Sequence, residues 1–359
     1  MASFTHLFII PFITPVFAYN NGQFKHFYAG GSWNTVLTDL LHHDCKDEYA
    51  ELTARPEKGG WILVSCILDN FTEIRKTEMA IVSVVLGLLP MALQFVGPRV
   101  ADVAVLGMRR PVLAVLISLG STCATLQSDY TGLEAVSRRG EDNQNRANDV
   151  LWPEVLIDAP VWAKALISIF EYGLVGTAAA NSLIQGYQLS FWAISFISMI
   201  MGSFGNTAEA FSPLLWVFIP IPIQALGVYV LYLGRPSGRP QPKPESARQL
   251  HPCYRAWRRV RDWAVREMTP CAFKKGETVT RTEAVKKNKR YWLLFLNWAI
   301  KFLVWVQVIY GTIVLSSVLF LSLFTAMEVV GRFLAGAIVC RFVLEFEMYG
   351  LQEVSKLHR

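Results

Sequence analysis

A chain of 359 residues that is 53% hydrophobic, 13% aromatic and 17% charged stands apart from soluble domains, in which about 25% of residues are charged. Its mean hydropathy is +0.33. The formal charge of +6 is gathered in residues 235–290, where sixteen Lys or Arg outnumber five Asp or Glu by eleven; a basic segment between apolar runs argues against nucleic acid as its partner and for a membrane.

The N-terminus reads as a secretory signal over residues 1–18. Leu7 to Ala18 is an apolar core too short to span, and Val16-Phe17-Ala18 fits the small-x-Ala cleavage pattern. The first six residues hold no Lys or Arg, so an uncleaved N-terminal anchor is the alternative. Residues 19–78 then form a lumenal or extracellular segment. It carries the glycosylation sequon Asn70-Phe71-Thr72. Cys45 and Cys66 are the disulfide candidates of an oxidising compartment, with buried free thiols as the other reading. His42-His43-Asp44-Cys45, with Asp47 and Glu48, holds metal-capable ligands, but without a second cluster it reads as a solvated loop. No metal and no cofactor is expected.

The fold class expected is all-α, a polytopic transmembrane bundle of about seven spans. Residues 79–234 hold five: Met79–Gly97, Pro111–Gln127, Val161–Gln185, Leu189–Phe211 and Ser212–Gly234. The last carries Pro220 and Pro222, where a helix must kink. Residues 235–290 are a basic cytosolic loop, and 291–351 hold two spans, from Tyr291 to near Leu323 and Ala326–Leu351. Cutting the sixth run at Gly311 instead splits it in two and leaves the last helix in the interface. Residues 352–359 are a cytosolic tail. Loop charges orient this arrangement with its N-terminus outside or lumenal. Pro98–Arg110 has Arg99, Arg109 and Arg110 against Asp102, whereas Ser128–Pro160 has three Arg against seven acids. Arg75 and Lys76 dissent.

Ionisable residues inside spans carry most weight, because a charge at mid-depth costs several kcal/mol unless paired or hydrated. In the third span Lys164, Ser168, Glu171, Ser182 and Gln185 share one helical face. Such a stripe serves a proton relay, an ion path or a polar pocket; equally, it serves an inter-helix hydrogen-bond network. Lys301, in the sixth span, is a candidate partner of Glu171 or snorkels to the interface. In the last helix Glu328–Arg332 and Arg341–Glu345 are spaced for self-pairing. Gly176 and Ala180 permit close helix contact without naming a partner, and the oligomeric state is open.

Within the basic loop, the segment Cys253–Met268 places Trp257, Val260, Ala264 and Met268 on one side, with Trp263 at its edge and Arg261 interrupting it. Arg255, Arg258, Arg259 and Arg266 take the flanks and back. This approximates an interfacial helix on anionic lipid, with Trp257, Arg258, Arg259, Arg261 and Trp263 as lipid-surface candidates. Before it, Arg235–Pro252 is a proline-rich linker. Signatures of phosphate loops, prenyl-diphosphate metal sites, zinc proteases and serine hydrolases are missing from the sequence.

The blocks Gly60–Lys76, Leu86–Pro90 and Val105–Leu113 resemble recurring motifs of uncharacterised multi-pass membrane proteins of filamentous fungi. Ile309–Thr312 and Ala337–Arg341 are similar to the C-terminal part of those proteins. The resemblance covers most of the membrane region and transfers no site residue. It implies an accessory role beside fungal natural-product clusters. If that role acts on a lipophilic metabolite, the polar stripe lines a pocket, with Glu171 as general acid or proton carrier. The layout of an outside N-terminus, seven spans and a long basic loop also resembles fungal seven-helix receptors. A small-molecule transporter is the third class.

Overall fold

The computed structural model describes residues 32–54, 59–125, 161–195, 211–234, 252–270 and 287–352. In chain order these form α1 (Ser32–His42), α2 (Lys46–Ala54), α3 (Gly59–Asp69), α4 (Glu73–Val96), α5 (Val100–Gly107) and α6 (Pro111–Ser121). They continue through α7 (Val161–Phe191), β1 (Ile194–Ser195), α8 (Ser212–Phe218), α9 (Pro220–Gly234) and α10 (Pro252–Glu267). The last elements are α11 (Lys287–Ser316), β2 (Val318–Leu319) and α12 (Leu323–Gln352). The signal segment 1–18, the loop 128–160, the linker 235–251 and the tail 353–359 lie outside the described residues.

Among the described residues, five helical stretches are long and apolar enough to cross a membrane: Glu73–Val96, Trp162–Phe191, Ser212–Leu233, Tyr291–Ser316 and Leu323–Met348. Large apolar side chains stand exposed along them, among them Phe95 at 72%, Trp305 at 68% and Phe342 at 70%. Soluble proteins rarely expose so much contiguous apolar surface, and lipid covers it without cost. The chain is therefore a membrane-compatible helical protein.

Two of the expected spans differ. Pro111–Gln127 is replaced by α6, whose 11 residues reach roughly 16 Å against a hydrocarbon core of about 30 Å. α5 and α6 form a helical hairpin that returns to its origin. The Val100 amide donates to the Thr125 carbonyl at 3.1 Å and the Thr125 amide to that of Pro98 at 3.3 Å. Gln94 Nε2 donates to the Ala124 carbonyl at 3.0 Å, so both hairpin ends sit at the C-terminal end of α4. Thr122, at φ 50°, turns the chain out of α6. The expected fourth span, Leu189–Phe211, begins instead as the last turn of α7 followed by β1, and residues 196–210 lie outside the described residues. The remaining spans keep their places. The kink expected at Pro220 is the break between α8 and α9, whereas α11 runs through Gly311 unbroken.

The chain divides into two compact units. One comprises residues up to Ala92, Leu183–Phe218 and Val308–Phe333. Its core gathers Leu37, Leu63, Ile67 and Phe71 from α1, α3 and the turn after α3, with Phe320 from the turn after β2. Phe71 meets Trp33 and Phe320 edge-on, at centroid distances of 5.4 and 5.7 Å. Cys45 and Cys66 form a disulfide with Cα atoms 6.0 Å apart. β1 and β2 pair antiparallel, Ile194 opposite Leu319.

The other unit comprises Leu93–Ser182, Ile219–Gln307 and Leu334 onward. Here the α5–α6 hairpin is enclosed: Leu106, Leu113 and Ile117 are fully buried against Val175 of α7, Leu231 of α9 and Leu344 of α12. The approach is close enough to require glycine at Gly120, where a Cβ would stand 2.6 Å from Cys340 Sγ.

Candidate functional site

The tip of the hairpin is set by two adjacent residues. Proline disfavours helical geometry in the residue before it and suits the first position of a helix. Arg110 is accordingly non-helical, at φ −125° and ψ 74°, and Pro111 opens α6. An arginine cannot accept the free amides of a helix N-terminus, so the Arg110 side chain is available for other work.

That side chain is fully buried. Its Nη1 donates to Glu171 Oε2 at 2.8 Å and also to Glu347 Oε1 of α12. Its Nη2 donates to Ser168 Oγ at 2.7 Å, and the guanidinium lies 5.2 Å from the Tyr172 ring centroid. Glu347 is fully buried and Glu171 is 4% exposed. Burial works against the charge on Arg110, and the carboxyl groups of Glu347 and Glu171 compensate it.

The free amides of α6 are met from elsewhere. Glu267 Oε1, at the end of α10, accepts from the amides of Val112 at 3.0 Å and Leu113 at 3.2 Å. A carboxylate there also suits the positive end of the helix dipole. The Tyr172 hydroxyl donates to the same oxygen at 2.6 Å. One buried network therefore runs from α10 through Tyr172 and the hairpin tip to Arg110, Glu171 and Glu347.

The charges do not cancel. One guanidinium faces two carboxyl groups, both held by Arg110 Nη1. Among the described residues, Glu171 Oε1 and Arg110 Nε have no hydrogen-bond partner. Two carboxylates crowded together cannot both ionise cheaply, and a shared proton removes the repulsion.

The stripe on α7 is distributed over several partners. Ser168, Glu171, Ser182 and Gln185 are all buried, and Lys164 is half-buried. Ser182 Oγ donates to the Gly120 carbonyl at 3.1 Å. Lys301 does not join Glu171: it stands exposed on α11, and Arg110 occupies the place expected of it. Lys301 lies near the middle of α11 on its exposed face, whereas the hairpin carries Arg110 inward to Glu171. Asn70 is exposed, with Nδ2 donating to the Cys66 carbonyl at 3.1 Å. Cys45, Glu48 and Cys66 cluster as metal ligands would, but both sulfurs are in the disulfide. On α10, Trp257, Arg258, Arg261 and Trp263 are exposed, and the Arg259 side chain lies outside the described residues.

Arg110, Glu347, Glu267 and Tyr172 were not singled out by sequence reasoning. A signal for Glu347 existed: the pairs Glu328–Arg332 and Arg341–Glu345 both form, and Glu347 falls outside these two i, i+4 pairs. For Arg110 the signal was an Arg-Pro step between two apolar runs. No protein-family model, curated protein or solved structure matches this chain. The functional reading therefore rests on the residues themselves.

Proposed function

We propose that this chain is a multi-pass membrane protein that handles one proton at the Arg110–Glu171–Glu347 cluster while acting on a lipophilic small molecule. The supporting observation is the charge count: two buried carboxyl groups share one guanidinium, with Glu171 Oε1 left over among the described residues. Intramembrane ionisable groups of this kind are characteristic of proton carriers and of general acids in dry sites. In this reading Arg110 fixes the two carboxyl groups, Ser168 and Tyr172 orient Arg110, and the proton moves between Glu171 and Glu347.

Five crossings also set a topology. If α4 crosses once and the hairpin returns, the ends of the hairpin lie on the same side as the basic segment 235–290. The excess of Lys and Arg in 235–290 favours the cytosol for that side and the lumen or exterior for α1–α3, and the acidic balance of Ser128–Pro160 is the charge count that dissents. A disulfide in α1–α3 suits an oxidising compartment. The seven-helix receptor reading has five membrane-length apolar stretches among the described residues behind it rather than seven. Proton-coupled transport is the second reading, favoured by the re-entrant hairpin, since non-helical backbone at membrane depth is tolerated where it lines a pathway.

The test is infrared difference spectroscopy of the purified protein, wild type beside Glu171→Gln and Glu347→Gln. A protonated-carboxyl band present in wild type and lost in either variant is the expected result. Its absence in wild type would sink the proton-handling reading. Metabolite profiling of a strain lacking the protein, complemented with wild type or Glu171→Gln, then separates the classes. A chemically altered compound indicates catalysis, and a compound changed only in its partition between cell and medium indicates transport.

A further inference from the structure

Helix α10 meets the rest of its unit at one end. Glu267 is buried against α6 and Tyr172, and Ala264 is half-buried one turn before it. The remainder of its apolar arc faces outward: Trp257 is 66% exposed and Val265 60%, with Val260 and Met268 also exposed. Arg258 stands exposed at the margin of that arc, and Arg261, also exposed, interrupts it. Asp262 lies 3.7 Å from Arg261, but both are solvated and such a pair contributes little.

We propose that this face of α10 docks on a bilayer leaflet rich in anionic lipid. Trp257, Val260, Val265 and Met268 enter the interface, and Arg258 and Arg261 meet the lipid phosphates. The inference rests on the membrane reading above but not on the proton-handling one. Two observations select this occupant. The helix is tethered between α9, which ends at Gly234, and α11, which begins at Lys287, and both lie in candidate spans, so a bilayer surface is within reach. The segment 235–290 carries an excess of eleven positive charges, complementary to anionic headgroups and repulsive toward a second copy of itself.

Full-length protein is reconstituted in nanodiscs of phosphatidylcholine alone or with roughly a third phosphatidylserine, a PS-rich surface. Hydrogen exchange is then followed across residues 252–268. Exchange in this segment is expected to slow in the anionic discs, by roughly fivefold for each arginine engaged. In R258Q/R261Q that lipid dependence should disappear while α11 and α12 stay as protected as in wild type, which controls for folding. Equal exchange in the two discs, or a lipid dependence that survives in R258Q/R261Q, would overturn the proposal. Fast exchange throughout α11 and α12 in every disc would overturn the membrane reading with it.

Discussion

Among the described residues, the unit containing the disulfide buries no acidic or basic side chain, whereas the unit containing the hairpin buries five carboxyl or guanidinium groups. In the first, the buried polar groups are Gln185, Ser190, Ser195, Ser212, Ser322 and Thr325, all neutral. In the second they include Asp102, Arg110, Glu171, Glu267 and Glu347. The first unit is held by devices that need no charge: a disulfide, edge-to-face aromatic pairs and a packed apolar core. The second carries desolvation costs of several kcal/mol per ion, which an apolar core of similar volume would avoid. Such a cost, retained in one place and not the other, is what directs the proposed function to the Arg110 cluster.

The largest effect should come from Arg110→Ala, which leaves two buried carboxyl groups without their counter-charge. A loss of about 3–5 kcal/mol is expected in thermal or denaturant unfolding in detergent. Replacing the whole cluster, R110M/E171L/E347L, should return stability to within about 1 kcal/mol of wild type while abolishing activity. If that triple variant stays active, the contrast between the units is only one of packing. Next in size is Cys45→Ser, which opens a disulfide closing a separation of 21 residues. It should cost about 3 kcal/mol. The loss should appear as protease sensitivity of α1–α3, with the infrared carboxyl band unchanged. Smallest is Glu267→Gln, whose amide oxygen can still accept from Val112 and Leu113 but without charge. About 1 kcal/mol is expected, read as faster amide exchange in the first turn of α6.

Apolar periodicity made the long helices legible, since α4, α7, α11 and α12 are continuous runs that nothing else explains. Length was the harder property to read. The run from Pro111 looked long enough to cross because its hydrophobicity persists to Ala124, yet helix α6 stops at Ser121. What stops it is a left-handed Thr122 and a hydrogen-bonded return to Pro98 and Leu93, and neither leaves a mark on hydropathy. The stripe on α7 was legible from spacing alone. Its partner was not, because Arg110 sits 61 residues from Glu171 and reads locally as one more basic loop residue. Glu267 was hidden by the same effect: among sixteen basic residues its charge looked like dilution, when it is the side chain that seats the loop helix.

The separations within the cluster also order its biogenesis. Arg110 is synthesised 61 residues ahead of Glu171 and 237 ahead of Glu347. At ordinary synthesis speeds the second gap takes roughly 12–50 s. Until Glu171 is made, a lone guanidinium has no stable home in hydrocarbon, and the Arg110–Glu171 pair can form as soon as α7 is in place. α12 arrives last, carrying the second carboxyl group. The cluster is therefore complete only when the final helix joins it, and a chain truncated before Glu347 would hold Arg110 with Glu171 alone.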